Sequence, residues 1–247
     1  MRFGFEAKGC FPTGRHYPGI AHLLKVAVAG LAEEFESQTA LSDLPLVAID
    51  TETTGRDFEN DRVVEVAFVV FRGGEITDKR AWLVNPERLI DPEAIAIHGI
   101  TDAEVQDKPK FAEIVPELIE TAQKLVPLAY NAEFDKSFIL KELSRAGAPQ
   151  RHLPPALRPG VRWLDPLVWA RLLQADAKSK SLGAMAEILQ VELEQAHRAT
   201  DDAAAAMLVM REFFKDIRVP KTYGAFMQEQ MRLSRVQSEE RQYWRMP

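Results

Sequence analysis

Apolar and polar positions change their period along this chain, and the changes mark its elements. Residues 46–49 (Leu-Val-Ala-Ile) are a short apolar run with the signature of a buried strand. Residues 62–71 are rich in β-branched and aromatic side chains and predict a second strand. Gly73-Gly74 predicts a hairpin, and residues 76–84 the returning strand. Helical spacing follows over 111–124, then an apolar strand over 125–130. An amphipathic helix over 134–146 ends at Gly147. Pro149, Pro154, Pro155 and Pro159 predict a rigid loop, residues 161–164 a short strand, and Asp165-Pro166 the start of a helix. Further helices are expected over 181–189 and 200–214.

The flanks read differently. Turn signals at Phe11 to Gly14 and Pro18-Gly19 precede a helix candidate over 20–35, and Leu44-Pro45 closes this part. After Val219-Pro220 comes a polar, basic tail of helical character. The expected division is a partly helical extension over 1–44, a mixed α/β domain over 45–216, and a tail over 217–247.

Composition changes this picture little. A 46% hydrophobic and 28% charged chain of 247 residues is ordinary for a globular protein. No run of eighteen apolar residues occurs, so neither a membrane span nor a membrane partner is expected. The stretch from Ile20 to Leu31 is broken by His22 and Lys25, which argues against a signal peptide. Cys10, the sole cysteine, fits a reducing, cytoplasmic setting. The net charge of −6 is uneven: 20 basic and 28 acidic residues lie over 45–214, against seven basic and four acidic over 215–247. Bound divalent cations would reverse the local sign of an acidic centre, so the global charge does not exclude a nucleic-acid substrate.

Candidate chemistry begins at Asp50-Thr51-Glu52-Thr53-Thr54-Gly55, directly after the first apolar run. Side chains two apart on a strand share a face, so Asp50 and Glu52 project together. Adjacent carboxylates repel unless a proton or cation intervenes. Two further segments add acids at element ends: Tyr130-Asn131-Ala132-Glu133-Phe134-Asp135 and His197-Arg198-Ala199-Thr200-Asp201-Asp202. Four carboxylates and an imidazole suit two-metal phosphodiester hydrolysis, with oxygens holding hard cations and histidine taking a proton from water. Taken singly, each acid has a plainer reading as a loop or helix-start residue. Asp201 reads as a solvent-facing first-turn acid after an N-cap at Thr200, Asp165 as an N-cap, and His16, His22 and His152 as surface groups.

With DxETTG, AxxIHGIT over 94–101, NAxFD and HRAxxDA in order, the chain resembles the DEDDh 3′→5′ exonucleases of the DnaQ-like family. That family includes the proofreading subunit of bacterial replicative polymerase. The resemblance spans about residues 45–214. It implies a ribonuclease H-like α/β fold, a five-stranded mixed sheet of order 3-2-1-4-5 flanked by helices. It also implies that Asp50, Glu52, Asp135 and Asp202 bind two divalent cations, Mg²⁺ or Mn²⁺, with Asp50 bridging them and Glu52 serving one. His197 becomes the general base. Its H-x4-D spacing is that of the histidine branch, and Arg198 stands where the sister branch has tyrosine. Thr53, Ile97 and His98 resemble positions that cradle the terminal nucleotide, and Asn131 one that supports the site.

The implied substrate is a single-stranded or frayed DNA 3′ end, in proofreading or repair. The alternatives are an RNA-trimming exonuclease or oligoribonuclease, and a non-catalytic nucleic-acid- or polymerase-binding module. Gln228 to Leu233 faintly resembles a sliding-clamp motif, so a polymerase or clamp docking on the tail is a further partner expectation. The same apolar spacing suits an ordinary helix, and Phe226, Met227, Tyr243 and Trp244 suit docking of the tail onto the domain.

Overall fold

The computed structural model describes residues 29–148, 152–191 and 198–243. Its centre is a sheet of four strands: β1 (Leu46–Thr53), β2 (Val63–Arg72), β3 (Glu75–Leu83) and β4 (Val126–Leu128), in the order β3-β2-β1-β4. β1 pairs antiparallel with β2 along its whole length and parallel with β4 only from Leu46 to Ala48. The helices are α1 (Pro92–His98), α2 (Asp102–Val105), α3 (Phe111–Thr121), α4 (Glu133–Arg145), α5 (Pro166–Leu173), α6 (Leu182–Ile188), α7 (Ala199–Phe213) and α8 (Tyr223–Tyr243).

The α/β architecture matches the expectation, but the sheet has four strands rather than five. The expected strand over 161–164 reduces to one parallel bridge, Leu128 with Leu164. Its backbone bonds are drawn elsewhere. The Arg162 N–H donates to the Gly30 carbonyl and the Trp163 carbonyl accepts from the Gln230 side chain, leaving Leu164 alone to pair with the β4 segment. Pro159 and Pro166 bound the segment and deny it further donors.

β1 and β2 are covered on both faces, which explains why β2 reads as a continuous apolar run. On one face Leu46, Ala48, Ala67 and Val69 pack against α7, whose alanines let it approach closely, with Trp169 of α5 and Phe226 of α8 behind it. On the other, Val47, Ile49, Val66 and Phe68 pack against α3 and α4. α8 belongs to this core. Phe226 stacks on Trp169 at a centroid distance of 4.8 Å, and the Tyr223 hydroxyl accepts from the Ala32 N–H.

Smaller expectations are corrected too. The described part of the helix candidate over 20–35 is turns, because Gly30 sits at φ 84° and the Ala32 amide is held by Tyr223. The helix expected over 111–124 stops at Thr121, and Lys124 is left-handed. Arg198, not Thr200, precedes α7. Residues 1–28, including Cys10, His16 and His22, lie outside the described residues, as does Trp244.

Candidate active site

The site forms where the sheet splits. Past Ala48, β1 has no partner on its β4 side, and β1 lies between an antiparallel and a parallel neighbour. Such a switch point leaves a crevice beyond the strand ends. The Thr51 amide, freed from ladder pairing there, donates to Asp135 Oδ1 at 2.9 Å, and the Thr51 hydroxyl donates to the same oxygen at 2.8 Å. Asp135 lies in the first turn of α4 and is buried.

Alternation on β1 sends Asp50 and Glu52 to the opposite face, toward α7. There Asp202, in the first turn of α7, meets them. One carboxylate oxygen from each of Asp50, Glu52 and Asp202 lies within 4.8 Å of the others. Asp201 turns away to β3, where Lys79 stands at 4.0 Å, rather than facing solvent.

The electrostatics are those of acids short of counter-charge. Burial, then repulsion from Asp135, Glu52 and Asp202, holds the Asp50 carboxyl well above the usual range. Glu52 is pushed up to about 8 by burial and then by Asp202, Glu65 and Asp135. Burial raises Asp135 to about 7 against the lowering effect of its two Thr51 bonds. No lysine or arginine among the described residues forms an ion pair with Asp50 or Glu52. An all-oxygen donor set of this kind fits hard divalent cations, which would remove the repulsion.

Glu65 was not singled out from the sequence. It lies directly opposite Glu52 in the β1–β2 register and is buried. Its carboxylate accepts from the Ala199 N–H at the start of α7 and sits near Arg198. It thereby anchors the helix that carries Asp202. The signal was present: one acid in an otherwise apolar strand.

The substrate-contact candidates separate. Ile97 is half exposed at the end of α1. Thr53 is buried, its hydroxyl donating to the Gly55 carbonyl. His98 is buried, with both ring nitrogens engaged. Nδ1 accepts from the Ile100 N–H at 3.0 Å, so the proton sits on Nε2, which faces the Thr53 carbonyl at 3.3 Å. In this arrangement the imidazole fixes Thr53 and the end of α1. Asn131 is exposed and left-handed at φ 66°, and its N–H and that of Ala132 donate to the two oxygens of Asp165. Asp165 also caps α5 through the Leu167 N–H. The expected N-cap thus ties the Asn131–Asp135 turn in place as well. Gly55 is dictated by space: a Cβ there would stand 2.4 Å from Asp61 Oδ2. His197 lies outside the described residues.

Known proteins resemble this chain over the span that builds the site. The Exonuclease family model, RNase_T, matches residues 47–210. The DNA polymerase III PolC-type of Clostridium perfringens is 31% identical over 193 residues, covering 78% of this chain and 12% of that protein. The 3′-5′ exonuclease DinG of Bacillus subtilis is 28% identical, covering 70% of this chain and 18% of that protein. This chain therefore spans less than a fifth of the length of either curated relative. Among solved structures, exonuclease X in complex with 5′ overhanging duplex DNA aligns with a TM-score of 0.54 and 27% identity, covering 73% of this chain and 99% of that one. With its acids grouped at the end of β1 and the family model spanning strand, crevice and α7, the chain belongs to the Exonuclease family.

Proposed function

We propose that this protein is a metal-dependent 3′→5′ exonuclease that removes nucleoside 5′-monophosphates from single-stranded or frayed DNA ends. The observation that carries this reading is the convergence of Asp50, Glu52 and Asp202, with Asp135 beside them, where β1 leaves the sheet. The polarity is supported by the 3′-5′ exonuclease relative, and DNA by the polymerase relatives and the DNA complex.

In this reading Asp50, Glu52, Asp135 and Asp202 hold two divalent cations, Mg²⁺ or Mn²⁺. Bound there, the cations would acidify a water and neutralise charge on the phosphate and the leaving oxygen. The chain's own groups do the rest. His197, four residues before Asp202, takes the proton of the attacking water. The new bond joins that oxygen to phosphorus. The bond to the 3′ oxygen breaks with its electron pair, and that oxygen is protonated from solvent. Thr51 holds Asp135 and Glu65 holds the start of α7, so the acids keep their spacing. Thr53 and Ile97 contact the terminal nucleotide, with His98 and Asn131 holding the walls.

Purified protein with Mg²⁺ or Mn²⁺ should release mononucleotides from 3′-labelled DNA and RNA oligonucleotides assayed in parallel. Release from neither would end the nuclease reading, and release from RNA alone would move it to the RNA-trimming alternative. His197→Ala should lower kcat about 10²- to 10⁴-fold with oligonucleotide affinity retained. Calorimetric titration with Mn²⁺ tests the non-catalytic alternative, because Asp50→Ala should abolish the heat of binding.

A polymerase or clamp partner on the tail fits less directly. The Gln228 to Leu233 segment is wound into α8 with Gln230 and Leu233 buried, so those side chains could dock elsewhere only if α8 came off the core.

A further inference from the structure

A cavity of about 300 Å³ lies beside the acidic centre, outside the chemistry assigned above. Its walls come from the turn before α4, the loop before α5, α5 itself and α8. Four cations line it: Lys136, Arg162, Arg171 and Arg241. Glu133 and Asp165 are the carboxylates on its walls. Glu133 is exposed in the first turn of α4, and both Asp165 oxygens are engaged by backbone N–H groups. None of the four cations makes an ion pair with a carboxylate among the described residues.

Like charges face each other here. Lys136 and Arg162 line the same cavity, and Arg171 of α5 lies near Arg241 of α8. Two of the cations are nonetheless braced. The stem of Arg162 lies against Gly30, where a Cβ would stand 2.6 Å from its Cγ. Arg171 donates to Gln237 of α8 at 3.3 Å. Trp163, also on the wall, is buried, and its indole N–H has no hydrogen-bond partner among the described residues. Four cations against two carboxylates, one of them already committed to backbone N–H groups, next to an uncommitted donor, form a site for a phosphate-bearing chain.

We propose that this cleft binds the phosphodiester backbone of the nucleic-acid strand at a distance from its 3′ end. The cleft adjoins the acidic centre: Lys136 on its wall follows Asp135 in α4, and Asp165, also on its wall, lies close enough to raise Asp135. Its fourth wall, α8, lies beyond residue 210, where the family match ends. Only the identity of the ligand as substrate rests on the nuclease reading; binding itself does not.

The test therefore measures binding without turnover. Fluorescence anisotropy of labelled dT16 and rU16 with the full chain, in EDTA, is followed across a salt series. Arg171→Gln combined with Arg241→Gln should weaken binding about tenfold. It should also flatten the slope of log Kd against log salt by about 0.7 for each phosphate that is no longer neutralised. Arg235→Gln removes one positive charge from α8 outside the cleft lining, and should change affinity less than twofold. Hydrolysis of the p-nitrophenyl ester of thymidine 5′-monophosphate, too short to reach the cleft, should stay unchanged in the double variant. Unaltered affinity and slope overturn the proposal. So does an equal effect from Arg235→Gln, or arginine-dependent binding of an oligoglutamate peptide at equal affinity, which would mark an acidic protein partner. A chain that binds dT16 or rU16 through these arginines yet cleaves neither would sink the nuclease reading and leave the cleft standing. A larger effect on dT16 than on rU16, or the reverse, identifies which strand it serves.

Discussion

Glu52 titrates far from its ordinary value because it shares a crevice with other acids, and this ties stability to pH. Its folded value of about 8 lies above its ordinary 4.5. Between these values the unfolded chain has released the proton and the folded chain keeps it, so the metal-free protein should lose stability as pH rises through that window. Asp135, raised to about 7, and Asp50 act in the same direction. Metal competes with the proton for the same oxygens. Mn²⁺ should therefore raise Tm more at about pH 8 than at about pH 5. Scanning calorimetry with and without Mn²⁺ decides this, and a metal-free Tm that climbs over that range, or an equal Mn²⁺ increment at both pH values, contradicts it. Asp50→Asn should raise the metal-free Tm at about pH 8 and remove the response to Mn²⁺. The acids concerned were legible in the sequence because period-two spacing put Asp50 and Glu52 on one face. Their dependence on Thr51 was not, since the Thr51 amide is free for Asp135 only where β1 outruns β4.

Asp165 shows how one acid can join several elements. Its carboxylate accepts from the amides of Asn131, Ala132 and Leu167, spanning the starts of α4 and α5. Asp165→Ala should cost about 2 kcal/mol, the upper range for a helix cap, since buried donors are left unmet. It should also lower kcat, because the turn carrying Asp135 loses its anchor. Urea melts with parallel activity assays check both, and a variant with wild-type stability would refute the anchoring role. The cap itself was readable from Asp-Pro, but the bonds to the other helix were not, because they cross more than thirty residues of sequence. Strands β1 to β3 were readable for a local reason too, their runs of β-branched and aromatic residues. The fifth strand failed for a non-local one. Its Arg162 N–H goes to the Gly30 carbonyl and its Trp163 carbonyl is taken by the Gln230 amide, which no local pattern reveals.

Taken as a whole, the molecule draws its core from both sides of the family-matched span. Ala32, Leu41 and Leu44 from one side, and Tyr223, Phe226, Met227 and Leu233 from the other, share one cluster with the sheet and α7. Truncation after residue 218 should therefore abolish cooperative thermal unfolding rather than leave a trimmed nuclease, and a sharp calorimetric transition in the shortened chain would refute this. Phe226→Ala, a milder change, should cost about 3–5 kcal/mol. Phe226 and Met227 made this docking readable in the sequence, whereas Tyr243 stays exposed, because only one stripe of the polar, basic α8 turns inward. A line of hydrogen bonds runs through that stripe. Gln230 of α8 holds the amide of Asp165, Asp165 holds the turn of Asn131 and Ala132, and Asp135 at the end of that turn holds Thr51 of β1. Detachment of the last helix would thus reach the reactive acids before the sheet itself opened. In mild denaturant, deuterium should enter the amides of α8 at the concentration where catalysis fades, while those of β1 and β2 remain protected.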